Sequence, residues 1–149
     1  MKRPRIMPPV YLLIAIVAML ALHFAWPGRQ IVAGPWRWAG AVLIVAAVAL
    51  VLWVAAIFRR HATTIKPGDT SSYLVTAGPF RFTRNPIYLG MTVLLAGVAI
   101  ALGSATPWLV VPIFVVIISV KIIPVEEAIL AEAFGPDYAN YRAHVRRWI

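Results

Sequence analysis

Two short stretches of this chain set charge directly against long apolar runs. One is GPFRFTRNPIYLG at residues 78–90; the other is EEAILAEAFGPDYANYRAHVRRWI at residues 126–149. Arg81 and Arg84 stand at the head of an uncharged run from Asn85 to Val120, and Glu126 and Glu127 stand just beyond its end. A run folded back on itself as a hairpin brings these opposite charges to one end of the apolar layer. Ionisable groups at such a boundary are costly unless paired or bound to a ligand, so they mark a candidate site. The chemistry on offer is that of an arginine fork for a carboxylate and a carboxylate for an amine or hydroxyl.

The elements that must position these groups follow from composition. Hydrophobic residues make up 62% of the 149 residues and charged residues 13%. A soluble domain is closer to half apolar and a quarter charged. The length suits a single domain over 1–149. There is no cysteine, so thiolate chemistry and Cys-based metal sites are excluded, and the three scattered histidines have no metal-ligand spacing. The net charge of +9 suits basic loops on anionic lipid rather than nucleic acid.

Uncharged runs give the expected spans. Ile6–Gly28 holds 23 residues, Trp38–Phe58 holds 21, and Asn85–Val120 holds 36. The first two match a bilayer-crossing helix of about 20 residues. The third is broken near its middle by Gly103-Ser104-Ala105-Thr106-Pro107, which makes it two shorter helices. The reading is an all-α integral membrane fold with about four transmembrane helices, near 8–26, 37–58, 87–102 and 107–123. The first run resembles a signal peptide in its basic head, but no small-residue cleavage site follows it, and it is read as a retained helix.

Charge sets the orientation. With four spans, twelve of the 14 Lys and Arg residues fall on one side and only Arg29 and Arg37 on the other. The positive-inside rule then places both termini and both motif stretches in the cytoplasm. The protein is expected to be a multi-pass protein of the cell (inner) membrane.

The tail reads as two cytoplasmic amphipathic helices, 125–134 and 137–148, separated by Gly135-Pro136. In the first, Ile129, Leu130 and Phe134 put Glu126 in the middle of the apolar arc, and Glu127 and Glu132 on its flanks, solvated. The plainer role for Glu126 is a structural ion pair to Arg84 or Lys121. In the second, Tyr138, Tyr141, Val145, Trp148 and Ile149 share a face, with Arg142, Arg146, Arg147 and His144 at its edges and back. Such a helix is expected to lie in the membrane interface. His23 reads as a satisfied packing residue, and Gly90 and Gly97 as points of close helix contact.

The order of the pieces carries a resemblance. LVTA, then GPFRFTRNPIYLG, the apolar hairpin, the Glu pair and FGPDYANYR together resemble the isoprenylcysteine carboxyl methyltransferase family and its bacterial relatives, which look like phospholipid N-methyltransferases. The likeness runs over residues 59–149. It implies S-adenosylmethionine at the cytoplasmic face and a lipophilic acceptor, a carboxylate, amine or thiol, entering from the bilayer. Carried onto this chain, the cofactor residues are Ser72, Tyr73, Leu74, Val75, Phe80, Asn85, Pro86, Tyr88 and Glu126, with Arg84 and Glu126 the catalytic pair and no metal. Arg81 or Arg84 is implied for the cofactor carboxylate, Glu126 for its amine or ribose, and Tyr73, Phe80 and Tyr88 for adenine or sulfonium. The sequence departs from the pattern at Asn85, where His is usual, at Phe80, where Tyr is frequent, and at Val125, where many bacterial relatives have Arg. A non-catalytic membrane module that keeps the fold is the alternative reading.

Overall fold

The structure, a computed structural model, describes residues 7–60 and 73–149. Five helices account for most of these residues: α1 (Pro8–Ala25), α2 (Trp38–Arg60), α3 (Pro86–Leu102), α4 (Val110–Ile117) and α5 (Ile123–His144). No β-strand occurs among the described residues; one isolated bridge, Gln30 to Ser104, ties two loops. Three stretches, Pro8–Ala25, Gly34–Arg60 and Thr106–His144, are helical, long and apolar enough to cross a membrane, and Pro86–Leu102 is a shorter apolar helix. Leu13, Val42, Val116 and other large apolar side chains are exposed on their outer faces, as a lipid-facing surface requires.

Local chemistry sets the helix ends. Pro8 and Pro86 occupy first-turn positions, where a missing N–H costs nothing. Arg59 and Arg60 close α2, where cations favour the helix dipole. α3 ends at Gly103, whose φ of 79° is left-handed. A Cβ there would strike the Gln30 side chain and the Val32 carbonyl. Arg37 donates from Nε to the Ala101 carbonyl (2.7 Å) and from Nη2 to the Leu102 carbonyl (3.1 Å), which satisfies the freed carbonyls of α3. His23 Nδ1 lies 2.8 Å from the hydroxyl of the fully buried Ser104. The histidine is thus a satisfied packing residue.

The last apolar helix runs on where two were expected. α4 passes through a widened, π-type turn at Ile118–Ile122 straight into α5, with no boundary at residue 123 or 125. Pro124 accounts for this. Its ring would clash with the carbonyl of residue 120 in a regular helix, and a widened turn relieves the clash. The break at Gly135 is present (φ 46°, ψ −119°), but the second piece stops at His144 rather than 148. Val145 is extended (φ −119°, ψ 129°), and residues 145–149 turn back onto the bundle.

The most extensive helix pairing among the described residues is α2 with α3. Glycine makes it close. A Cβ at Gly97 would lie 2.8 Å from the Gly40 carbonyl and 2.9 Å from the Ile44 side chain, and one at Gly40 would strike the Gly97 carbonyl. α1, α3 and α4 share the main core around Met19, Leu95, Phe114 and Ile118. Gly97→Ala gains about 1 kcal/mol of helix propensity. The new methyl meets backbone that cannot rotate away, an overpacking cost of about 1–3 kcal/mol. The variant is expected to melt below the unsubstituted protein in the same detergent; an unchanged or higher midpoint would show that α2 and α3 are not held this close.

Candidate active site

The two motif stretches meet at the end of the bundle where α3 begins and α5 begins. The first enters through a turn. Gly78 is left-handed (φ 63°), and Gly78–Arg81 forms one turn of 3-10 helix. That turn buries Phe80 with Val54 and Val75, edge-on to Phe58 (5.7 Å between centroids). The Phe80 carbonyl accepts a hydrogen bond from the Tyr141 hydroxyl (2.7 Å). Thr83 then accepts from the Asn85 backbone N–H (3.1 Å), a local bond that turns the chain into α3. Asn85 is the last non-helical residue, and its carbonyl accepts the first helical bond, from Leu89 (3.0 Å).

Beyond that turn the charges are bound in pairs. Glu127 lies 3.1 Å from Arg84, with both side chains 10% exposed. Arg147 grips the same carboxylate with its fork, Nε to Oε1 at 3.0 Å and Nη2 to Oε2 at 2.7 Å. These bonds raise the Arg147 pKa above the usual arginine value. Arg84 also reaches the hydroxyl of the buried Tyr138 at 3.4 Å, a weak bond. Its Nε is buried and has no hydrogen-bond partner among the described residues. One turn further along α3, the Tyr88 hydroxyl donates to Glu126 at 2.6 Å. Each of the paired glutamates therefore holds a different residue of the first motif.

This corrects the expected roles in the tail. Glu127 is not a solvated flank but a buried anion shared by two arginines. Glu126 does not bridge to Arg84 or Lys121; it takes Tyr88. Lys121 and Glu132 are exposed. The aromatic face of the last helix packs inward, Tyr138 onto the charge cluster and Tyr141 onto the Phe80 turn, so it meets protein where a membrane interface was expected. Trp148 reaches back to donate to Ser119 (3.1 Å). The error has a physical source. The helix turns the side of Ile123 and Glu127 to the bundle and leaves Ile129, Leu130 and Phe134 half-buried, so the apolar arc does not mark the packed face.

The remaining candidates fall in two places. Tyr73 and Leu74 line an open cleft of about 620 Å³ with Thr76, Phe134, Asp137 and Tyr141. Val75 and Phe80 point into the small core beneath it, and Pro86 is fully buried. Tyr141 joins the two regions, since it lines the cleft and bonds the Phe80 turn. Arg81 is exposed. Ser72 lies outside the described residues. Thr83, Glu127, Tyr138 and Arg147 are the site residues that sequence reasoning missed. Among the described residues, no three His, Cys, Asp or Glu side chains converge as a metal site would need.

Removing Glu127 would leave two arginines facing one another. Breaking a buried ion pair from one side costs about 3–5 kcal/mol, and solvent at the half-exposed Arg147 reduces that figure. Glu127→Gln is expected to lose about 3 kcal/mol of stability on this basis, whereas exposed Glu132→Gln stays within about 0.5 kcal/mol. Denaturant melts of the two variants make the comparison, and equal loss would show that Glu127 bears no structural charge.

Comparison with known proteins agrees with the motif order. A family model described as phospholipid methyltransferase matches residues 36–137. An uncharacterized protein of Haemophilus influenzae is 36% identical over 63 residues, which is 42% of this chain and 100% of that protein. No solved structure matches. The family match spans α2, the Arg84–Tyr88 element, the hairpin and both glutamates, and with it the chain belongs to the phospholipid methyltransferase family.

Proposed function

We propose that the protein is an S-adenosylmethionine-dependent methyltransferase that works at the cytoplasmic face of the cell membrane on a lipophilic acceptor. The observation that carries this is the pairing of the Arg84–Tyr88 element with the Glu pair across the hairpin, Arg84 to Glu127 and Tyr88 to Glu126. These contacts gather the polar groups of a family methyltransferase at one end of apolar helices.

The residues present suit the cofactor. Arg84, Arg147 and Glu127 form a cluster with one net positive charge, complementary to a carboxylate. Glu126 sits beside it without a cation of its own in any ion pair among the described residues, and is complementary to an ammonium or ribose hydroxyl. The cleft beside Tyr73, Phe134 and Tyr141 offers aromatic faces and the Asp137 carboxylate to a nucleoside. Bound S-adenosylmethionine supplies a methyl group on a sulfonium, an already activated donor. The protein's part is therefore orientation and exclusion of water more than proton transfer. Arg84 would hold one end of the ligand, and Glu126, itself held by Tyr88, would hold another. The acceptor reaches this boundary from the lipid.

Glu126→Gln tests the assignment. The amide oxygen still accepts from Tyr88, so the fold is kept while the charge is lost. A charge-assisted hydrogen bond is worth about 1.5–3 kcal/mol, so S-adenosylmethionine affinity should fall roughly tenfold or more. Titration calorimetry of the solubilised protein reads this directly. Equal affinity would take Glu126 out of the site; no binding by the unsubstituted protein would favour the non-catalytic module.

Orientation is a second test. The side bearing twelve of the 14 Lys and Arg residues should be cytoplasmic. Reporter fusions at Gly28, Pro67, Ser104 and the C-terminal end should read out, in, out, in. An external C-terminal end would separate the site from the cytoplasm, where soluble cofactors are made.

A further inference from the structure

The chain leaves α5 at His144 through an extended Val145, and residues 146–147 cross the turn that opens α3. Their backbone does most of the bonding. The Arg146 carbonyl accepts from the Arg84 N–H at 3.0 Å. The Arg147 carbonyl accepts from the Thr83 hydroxyl at 3.2 Å and from Asn85 Nδ2 at 2.8 Å. All three residues of the turn, 83 to 85, are thereby bound by two consecutive carbonyls. The side chains extend the hold: Arg147 grips Glu127, and Trp148 donates to Ser119 on the widened turn ahead of α5. Thr83 and Asn85 are buried by this arrangement (3% and 9% exposed).

We infer that this segment is a clasp, and that Arg147 is a positioning residue for the site: it fixes the direction of Arg84 without touching the ligand. The inference rests on the methyltransferase reading above. Residues 145–149 lie beyond the stretch that the family model matches, 36–137. The need for a clasp follows from charge. Glu127 alone would draw the Arg84 guanidinium fully onto itself as a closed ion pair. With Arg147 taking both carboxylate oxygens in a fork, Glu127 is shared, and Arg84 approaches it through Nη1 at 3.1 Å. The cluster is left with one net positive charge for a ligand carboxylate. Asn85 has its own part. Its side-chain amide is spent on the Arg147 carbonyl, a bond that ties the turn to the clasp. Asn85 in this structure thus serves as an anchor for the clasp.

Two variants and two readouts test the inference on the solubilised full chain. Arg147→Ala removes the fork, and Arg147→Lys keeps the charge without the bidentate geometry. Hydrogen–deuterium exchange reads the clasp itself. In Arg147→Ala, the Arg84 amide and its neighbours through Leu89 should exchange roughly tenfold faster, while α2 and the centre of α3 stay as protected as before. Calorimetric titration with S-adenosylmethionine reads positioning. Its dissociation constant should rise roughly tenfold in Arg147→Ala and less in Arg147→Lys, at a loss of one charge-assisted bond. Unchanged exchange at Arg84 overturns the clasp. Faster exchange with unchanged affinity leaves a purely structural tie and overturns the positioning role. A general rise in exchange across α2 and α3 means that Arg147 holds the whole fold together, and it also overturns a local role. Failure of the unsubstituted protein to bind S-adenosylmethionine overturns the methyltransferase reading, and the positioning role with it; that result is distinct from loss of binding in the variants alone.

Discussion

A single carboxylate, Glu127, carries the structure of the site. It is buried, and it neutralises arginines from two parts of the chain, Arg84 at the head of α3 and Arg147 beyond the end of α5. An unpaired charge at this depth would cost several kcal/mol, so the pairing constrains everything that leads to it. α3 must start where Arg84 can reach, and α4 must return to the same level. The tail must then double back. The glycine contact of α2 with α3 and the Gly103 turn, capped by Arg37, fix the height of α3 in the bundle. Features far from the site therefore act on it through helix register.

Much of this is legible in the sequence because lipid is a simple solvent. A helix in an apolar layer satisfies its own backbone, so an uncharged run bounded by arginine, proline or glycine marks helix limits directly. α1 falls inside the run Ile6–Gly28, and α3 begins at Pro86 and ends before Gly103. His23 was readable as a packing residue, since a lone imidazole in an apolar helix needs only one partner, and Ser104 provides it. The family motif was readable for a different reason. Arg84, Pro86, Tyr88 and the Glu pair keep their order and spacing, and these are properties of the sequence alone.

What could not be read depends on phase and on return paths. Assigning Glu126 to the inside and Glu127 to the outside assumed a helix that starts at Val125 with regular turns. Residues 123–134 do form a regular helix, but its packed face runs through Ile123 and Glu127, while Ile129, Leu130 and Phe134 are only half-buried. The tail failed in a similar way. Tyr138, Tyr141, Val145, Trp148 and Ile149 do fall on one helical face, but the helix stops at His144. An aromatic stripe gives no information on whether lipid or protein covers it. Here the charge cluster needed a cover, and Tyr138 is 2% exposed.

The positions of the two glutamates bear on the kind of ligand the site suits. Arg84 stands two residues before α3, and Tyr88 lies in its first turn. Through them the site presents a cluster with one net positive charge at one level and the Glu126 carboxyl at the next. A free amino acid group carries both a carboxylate and an ammonium, one complementary to each of these groups. A simple lipid phosphate would satisfy only the first, and a simple amine only the second. The buried Arg84 Nε, without a hydrogen-bond partner among the described residues, lies within the positive half. The pairing of unlike charges that stabilises the hairpin thus leaves an asymmetric pair of groups at its mouth. That asymmetry is a consequence of how the hairpin pairs its charges, and it suits a ligand that carries both signs.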